Sequence, residues 1–192
     1  MSTIVDASHG LGKRVRAERT RRGWSLSELA EASGVSRAMI SKVERGEASP
    51  TATVLGKLSA AFELSVSSLL EPAAPLPGEG SGPRRDADVP AWTDPDTGYL
   101  RRQVSTPMFP ADVTEVLLPA GARVPYPAAA YAFIAQLLWV LDGELTLTDG
   151  PDTHVLAAGD TFELGAPLPR VFANETTAGC RYVAVVTRRA EP

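Results

Sequence analysis

Ser36, Arg37, Ala38, Ser41 and Lys42 are spaced so that a helix over 36–45 puts the last four on one outer face. Ile40 and Val43 then fall on the opposite, inner face. The outer set is a guanidinium, a methyl, a hydroxyl and an ammonium. A guanidinium pairs bidentately with a guanine edge, and a small methyl meets a thymine methyl. Such a face suits a DNA major groove. A helical hairpin with a solvated outer face is the other reading of the same spacing.

Positioning that face needs a second helix before it and a tight turn between. In SLSELAEASGVSRAMISKVERG, Ser25 is placed to cap a helix and Glu28 completes a capping box. Leu26, Leu29 and Ala30 repeat at helical spacing. Gly34 supplies a left-handed stop, Val35 an apolar plug and Ser36 the next cap. Ser27 lies at the start of the first of these helices. Upstream, 11–22 carries six basic residues and one acid, with Leu11 and Val15 turned inward. Lys13, Arg14, Arg16, Arg19, Arg21 and Arg22 lie on or near its outer face, and Arg16 and Arg22 are candidates for phosphate contact. Trp24 packs at the corner that follows. Two amphipathic helices near 51–62 and 66–70 close the core.

The run LGKRVRAERTRRGWSLSELAEASGVSRAMISKVERG, then SPTATVLGKLSAAF, resembles the Xre-type, lambda-repressor-like helix-turn-helix family over residues 8–70. The resemblance implies that Arg37, Ala38, Ser41 and Lys42 meet bases and adjacent phosphates. It implies a backbone contact near Ser27, where the family often carries Gln and this chain a shorter side chain. It also makes Glu44 structural, held by a basic partner on the first helix.

The net charge of −4 hides an asymmetry. Residues 1–70 hold ten Lys/Arg against seven Asp/Glu, and 71–192 hold nine against sixteen. A basic front and an acidic rear fit a nucleic-acid module joined to a unit that does not touch DNA. Residues 1–9 read as a loose arm. Residues 71–90 hold five prolines and three glycines and read as an extended, mobile linker. Cys180 is the single cysteine, so no internal disulfide forms and a reducing compartment fits. No signal pattern opens the chain, and 131–141 is too short an apolar stretch to span a bilayer. A cytoplasmic protein is expected.

From Ala91 the pattern changes to short period-2 runs. Candidate strands are 99–105, 113–118, 132–141, 144–149, 153–156, 160–164, 170–173 and 182–188. Asp142-Gly143 and Asp149-Gly150 read as hairpin turns. The phrases QLLWVLDGELTLTDG, HVLAAGDTFELGAPLPRVFAN and RYVAVVTR resemble a cupin jelly roll over about 98–190. In metal-binding cupins, two His and a Glu come from the first motif and a third His from the second. Gln136 and Arg170 stand at the last two positions, and 91–136 contains no histidine. His9 and His154 fall elsewhere and read as exposed. A transition metal needs three or four converging donors, and an always-cationic Arg cannot be one. No metal and no cofactor are expected.

The same replacements imply a different pocket. With the parity of the family's Glu, Gln136, Leu138 and Val140 point inward, as do Arg170, Phe172 and Asn174. Arg170 would anchor an anionic or polar effector, Gln136 would orient it, and Tyr126 or Tyr131 would close the mouth. The alternative is a barrel filled by its own side chains, with Arg170 paired to an internal acid. Trp139 points outward, between sheets or at a dimer contact.

The expected fold class is therefore two domains: an all-α, five-helix lambda-repressor-like helix-turn-helix domain (8–70) and, after the linker (71–90), an all-β cupin jelly-roll barrel (91–190). The expected function is a homodimeric, non-enzymatic transcriptional regulator, a repressor, on a double-stranded DNA operator. Its second domain binds a small effector or dimerises. A cupin enzyme fused to a DNA-binding module and a ligand-free dimerisation scaffold remain the alternatives.

Overall fold

The structure, a computed structural model, describes residues 8–70, 83–85 and 89–189. Five helices come first: α1 (Ser8–Arg21), α2 (Leu26–Ser33), α3 (Arg37–Glu44), α4 (Ala52–Phe62) and α5 (Val66–Leu70). Ser8 and His9 belong to α1 and not to a loose arm, and 1–7 lie outside the described residues. Ser25 caps α2 with the full reciprocal capping box, and Gly34 ends it at φ 64°. Ser36 caps α3 through the Met39 amide, and Thr51 caps α4 through that of Val54. Leu11, Val15, Leu29, Ile40, Val43, Leu55, Leu58 and Phe62 are buried together at their centre. Gly12 lets α1 cross α3 closely: a Cβ there would sit 2.3 Å from the Val43 carbonyl oxygen.

Ten strands follow: β1 (Ala91–Thr93), β2 (Leu100–Gln103), β3 (Asp112–Leu118), β4 (Arg123–Tyr126), β5 (Ile134–Asp142), β6 (Glu144–Asp149), β7 (Asp152–Ala157), β8 (Thr161–Leu164), β9 (Arg170–Ala173) and β10 (Cys180–Arg188). A short 3-10 helix, Ala128–Tyr131, separates β4 from β5. The strands form two antiparallel sheets, ordered β1-β2-β3-β10-β5-β8 and β4-β9-β6-β7. The second domain is thus β-rich, but its two sheets do not close into the barrel that the resemblance to cupins implied. Leu118, Leu138, Val140, Leu145, Leu147, Phe172 and Tyr182 fill the space between them.

Asp142-Gly143 is not a hairpin. β5 and β6 belong to different sheets, so the dipeptide is a corner at which the chain changes sheet. Gly143, at φ 74°, passes so close to Gly179 that a Cβ would lie 2.6 Å from its carbonyl oxygen. Asp149 does open a true hairpin, since Asp149 pairs with Asp152 across Gly150-Pro151. Asn174 is fully buried and ties the β9–β10 loop: it donates to the carbonyls of Leu118 (3.0 Å) and Ala178 (2.7 Å).

The helical and β domains touch directly. α4 lies on β4 and the 3-10 helix, and α5 on β3. Gly56 of α4 faces the Tyr126 ring, Ser67 Oγ meets Thr114 Oγ1 at 2.9 Å, and Ser65 Oγ donates to Asp112 at 2.5 Å. The linker expectation over 71–82 and 86–88 lies outside the described residues. In the described piece, Arg84 donates to the carbonyls of Val104 (3.1 Å) and Ser105 (3.2 Å).

Candidate nucleic-acid interface and junction cavity

α3 is amphipathic as its spacing requires. Ile40 and Val43 are buried, Arg37, Ala38 and Lys42 are exposed, and Ser41 is partly exposed. Ser36 at the cap and Ser27 in the first turn of α2 are exposed as well. Arg37 makes no ion pair or hydrogen bond among the described residues, so its full donor fork is free for a partner. Ser41 accepts a hydrogen bond from Arg45, whose guanidinium is also paired with Glu47 at 2.6 Å.

The basic residues of α1 and of the turn that follows it divide into two sets. Arg16 is exposed and fits a phosphate contact. Arg22 does not. Its Nη1 lies 2.6 Å from the Glu18 carboxylate, its Nη2 donates to the Phe62 carbonyl, and its plane lies 4.9 Å from the Phe62 ring centroid. It ties α1 to α4, which corrects the phosphate assignment. Arg19 is likewise internal: Nε and Nη2 grip Glu44 at 2.7 and 2.9 Å. That bidentate pair is the basic partner expected for Glu44, and it fixes the far end of α3 against α1. Glu18 is nearly buried. Burial alone pushes its pKa up, but hydrogen bonds from Arg22 and Arg21 and the charge of Arg14 outweigh it, and the net shift is down.

In the second domain Arg170 is 1% exposed and already paired. Its Nε lies 2.9 Å from Asp149 Oδ1, its neighbour across the β6–β9 ladder, though not aligned for a hydrogen bond. Nη2 donates to the Ala166 carbonyl at 2.9 Å, and the guanidinium sits 4.4 Å over the Tyr131 ring. The internal acid takes the place reserved for an effector, so Arg170 is a structural cation. Leu138 is fully buried in the sheet core and also misses the cavity.

Gln136, Phe172, Tyr126 and Tyr131 do converge. They line a cavity of about 40 Å³ at the junction of the two domains. Sequence reasoning missed further polar walls, among them Ser67, Tyr99, Arg101 and Tyr182. Arg101 was legible only as an alternate residue of a polar-looking strand, LRRQ. His154 is half-buried in β7, its ring 4.7 Å from that of Phe162. Cys180 is buried, and burial, followed by the charges of Asp142 and Glu144, pushes its thiol up to about 11. Gln136 and Arg170, which the resemblance matches to cupin metal-ligand positions, do not form a transition-metal donor set. No cluster of three His, Cys, Asp or Glu side chains converges among the described residues.

Residues 15–69 match the HTH_3 family, described as helix-turn-helix, across α3 and the helices that hold it. The N-terminal domain is an Xre-type helix-turn-helix. The helix-turn-helix chain is 28% identical over 162 residues to the HTH-type transcriptional regulator SutR of Escherichia coli K12, covering 81% of this chain and 82% of that one. It is 27% identical over 181 residues to the HTH-type transcriptional regulator PuuR of the same organism, covering 92% and 94%. An HTH_3 family transcriptional regulator from Vibrio cholerae has the same fold, with a TM-score of 0.74, 22% identity, and 95% and 97% of the two chains covered. The chain thus joins a helix-turn-helix head to a β-rich second domain and is similar along most of its length to HTH-type transcriptional regulators. Among the described residues no helix is long and apolar enough to cross a membrane.

Proposed function

We propose that this protein is a sequence-specific repressor, acting in the cytoplasm as a homodimer, whose β domain answers to a small effector and is not an enzyme. In this reading 8–70 is the DNA-binding head, 71–90 the connection and 91–190 the sensing unit. The observation that carries the reading is the free outer face of α3, with Arg37, Ala38 and Lys42 presented on a rigid helix. Ser27, Ser36 and Ser41 border it and Arg16 reaches backbone phosphate. A cavity walled by both domains favours an effector over a filled scaffold. Occupancy would shift the population of head orientations able to grip two half-sites.

The test is selection of a preferred site from random duplexes, followed by anisotropy titrations of Arg37→Ala. The variant is expected to lose about 1–3 kcal/mol on the selected site and to relax base choice at one position. Unchanged affinity and preference would remove α3 from the interface.

A further inference from the structure

The junction cavity holds a cation with no counterion. Arg101 Nη1 donates to the Tyr99 hydroxyl at 2.7 Å. Its Nη2 donates to Ser67 Oγ at 3.0 Å and lies 3.5 Å from Thr114 Oγ1. Its Nε is shut off from solvent and has no partner. All these neighbours are neutral, and no carboxylate lies within 4.0 Å of the guanidinium among the described residues. Among the described residues, other sheltered arginines are answered by acids: Arg19 by Glu44, Arg22 by Glu18, Arg102 by Glu115 and Arg170 by Asp149. A guanidinium cannot discharge itself by losing a proton, and a charge withdrawn from water needs an opposite one.

A second group points the same way. The Tyr126 hydroxyl is buried and faces that of Tyr99 without an aligned hydrogen bond. Burial above all, and then the neighbouring Tyr99, keeps its proton on far above the ordinary phenol range, so it serves as a donor. The cavity has room for roughly three water-sized groups. Phe172, Ile134 and Val186 add apolar groups to its walls.

We propose that this cavity binds a small aliphatic monocarboxylate, its carboxylate on Arg101 and the Tyr126 hydroxyl and its short chain against Phe172 and Ile134. One unanswered positive charge calls for one negative charge, and the planar fork matches a carboxylate. A phosphate dianion would bring a second charge that nothing in the cavity meets. Because Nη2 is held by Ser67 of α5, an anion that draws Arg101 toward itself pulls on the helical domain. The inference deepens the effector reading above and rests on it for its biological consequence alone.

The experiment uses the full chain at constant ionic strength set with chloride. Thermal shift and calorimetric titration compare sodium formate and acetate with formamide, acetamide and methylamine. The carboxylates are expected to raise the melting temperature saturably, and the amides and the amine to leave it unchanged. Arg101→Met is expected to weaken carboxylate binding about tenfold or more, and Tyr126→Phe about fivefold. If Arg101→Met does not fold, Tyr126→Phe decides. Equal responses to acid and amide, no response to either acid, or unweakened binding in the folded variants overturns the proposal. Wild-type protein that binds operator DNA but ignores carboxylates refutes this site and leaves the repressor reading standing. Protein that binds carboxylates but no DNA does the reverse.

Discussion

Three arginines show what a single residue's type does and does not reveal. Arg19, Arg22 and Arg170 all read from the sequence as ligand-facing cations, or as near one. Their acids are 25, 4 and 21 positions away, at Glu44, Glu18 and Asp149. The sequence reading gave Glu44 a basic partner on the first helix, through the family resemblance, and gave Arg170 an internal acid as its alternative, but it named neither Arg19 nor Asp149. Ser25, Ser36 and Gly34 were legible because caps are local: their partners lie within four residues. The Glu18 cluster yields a pH expectation. Its folded pKa is depressed below the ordinary 4.5, so its contribution is complete above that value and disappears as pH falls through the folded pKa. Stability of the helical domain should therefore decline in acid below about pH 4.5, and Glu18→Gln should flatten that decline. At neutral pH Glu18→Gln should cost about 1–3 kcal/mol, because Arg22 is left half-buried without its acid. Urea melts at pH 7 and pH 4 check both. Equal pH slopes in the two proteins would rule out Glu18 as the titrating group.

Elements were more legible than their pairing. All five helices and eight of ten strands follow from periodicity, yet β1 and β4 did not show. AWT is too short for a period, and RVPY carries a proline that reads as a breaker. β4 is an edge strand, where a proline is tolerated. The Asp142-Gly143 corner looked like a hairpin because turn chemistry does not say which sheet the next strand joins. The junction of α4 with β4 was equally hidden, since Gly56 in an isolated helix looks like a mere weak point. In place it is where Tyr126 fits: a Cβ would fall 2.4 Å from the ring's Cδ1, and that ring is itself wedged edge-on against Phe172 at 5.9 Å. Gly56→Ala separates two effects of opposite sign. Helix propensity alone would stabilise by about 1 kcal/mol. The clash with an enclosed ring should cost about 1–3 kcal/mol and prise the domains apart. The expected outcome is a lower melting temperature with faster proteolysis between the domains. A rise in melting temperature would show that the junction is loose.

At the scale of the whole molecule, the six-stranded sheet presents two faces of different fate. Its inner face packs on the four-stranded sheet, and α5 lies against its interior strand β3. Its outer face holds Trp139 at 48% exposure and Leu117 at 38%, with Val183 paired across from Trp139 and Glu115 in the same row. Exposed large apolar side chains grouped on a flat sheet mark an association surface better than scattered ones. A single helix-turn-helix offers few base contacts, and two heads on a two-fold axis would read half-sites about 34 Å apart or a multiple of that. The β domain is the better place for that axis, because its sheets are rigid and α3 must stay free for the groove. Trp139→Glu puts a carboxylate at the centre of the patch on both partners of a symmetric contact. It should convert a dimer to a monomer in light scattering at micromolar concentration. Its melting temperature should change little, since the side chain is already half in solvent. Affinity for a two-half-site operator should then fall far more than affinity for one half-site. A Trp139→Glu protein that remains dimeric would move the two-fold axis to another surface, and an unmodified chain that scatters as a monomer both free and on DNA would remove the axis altogether.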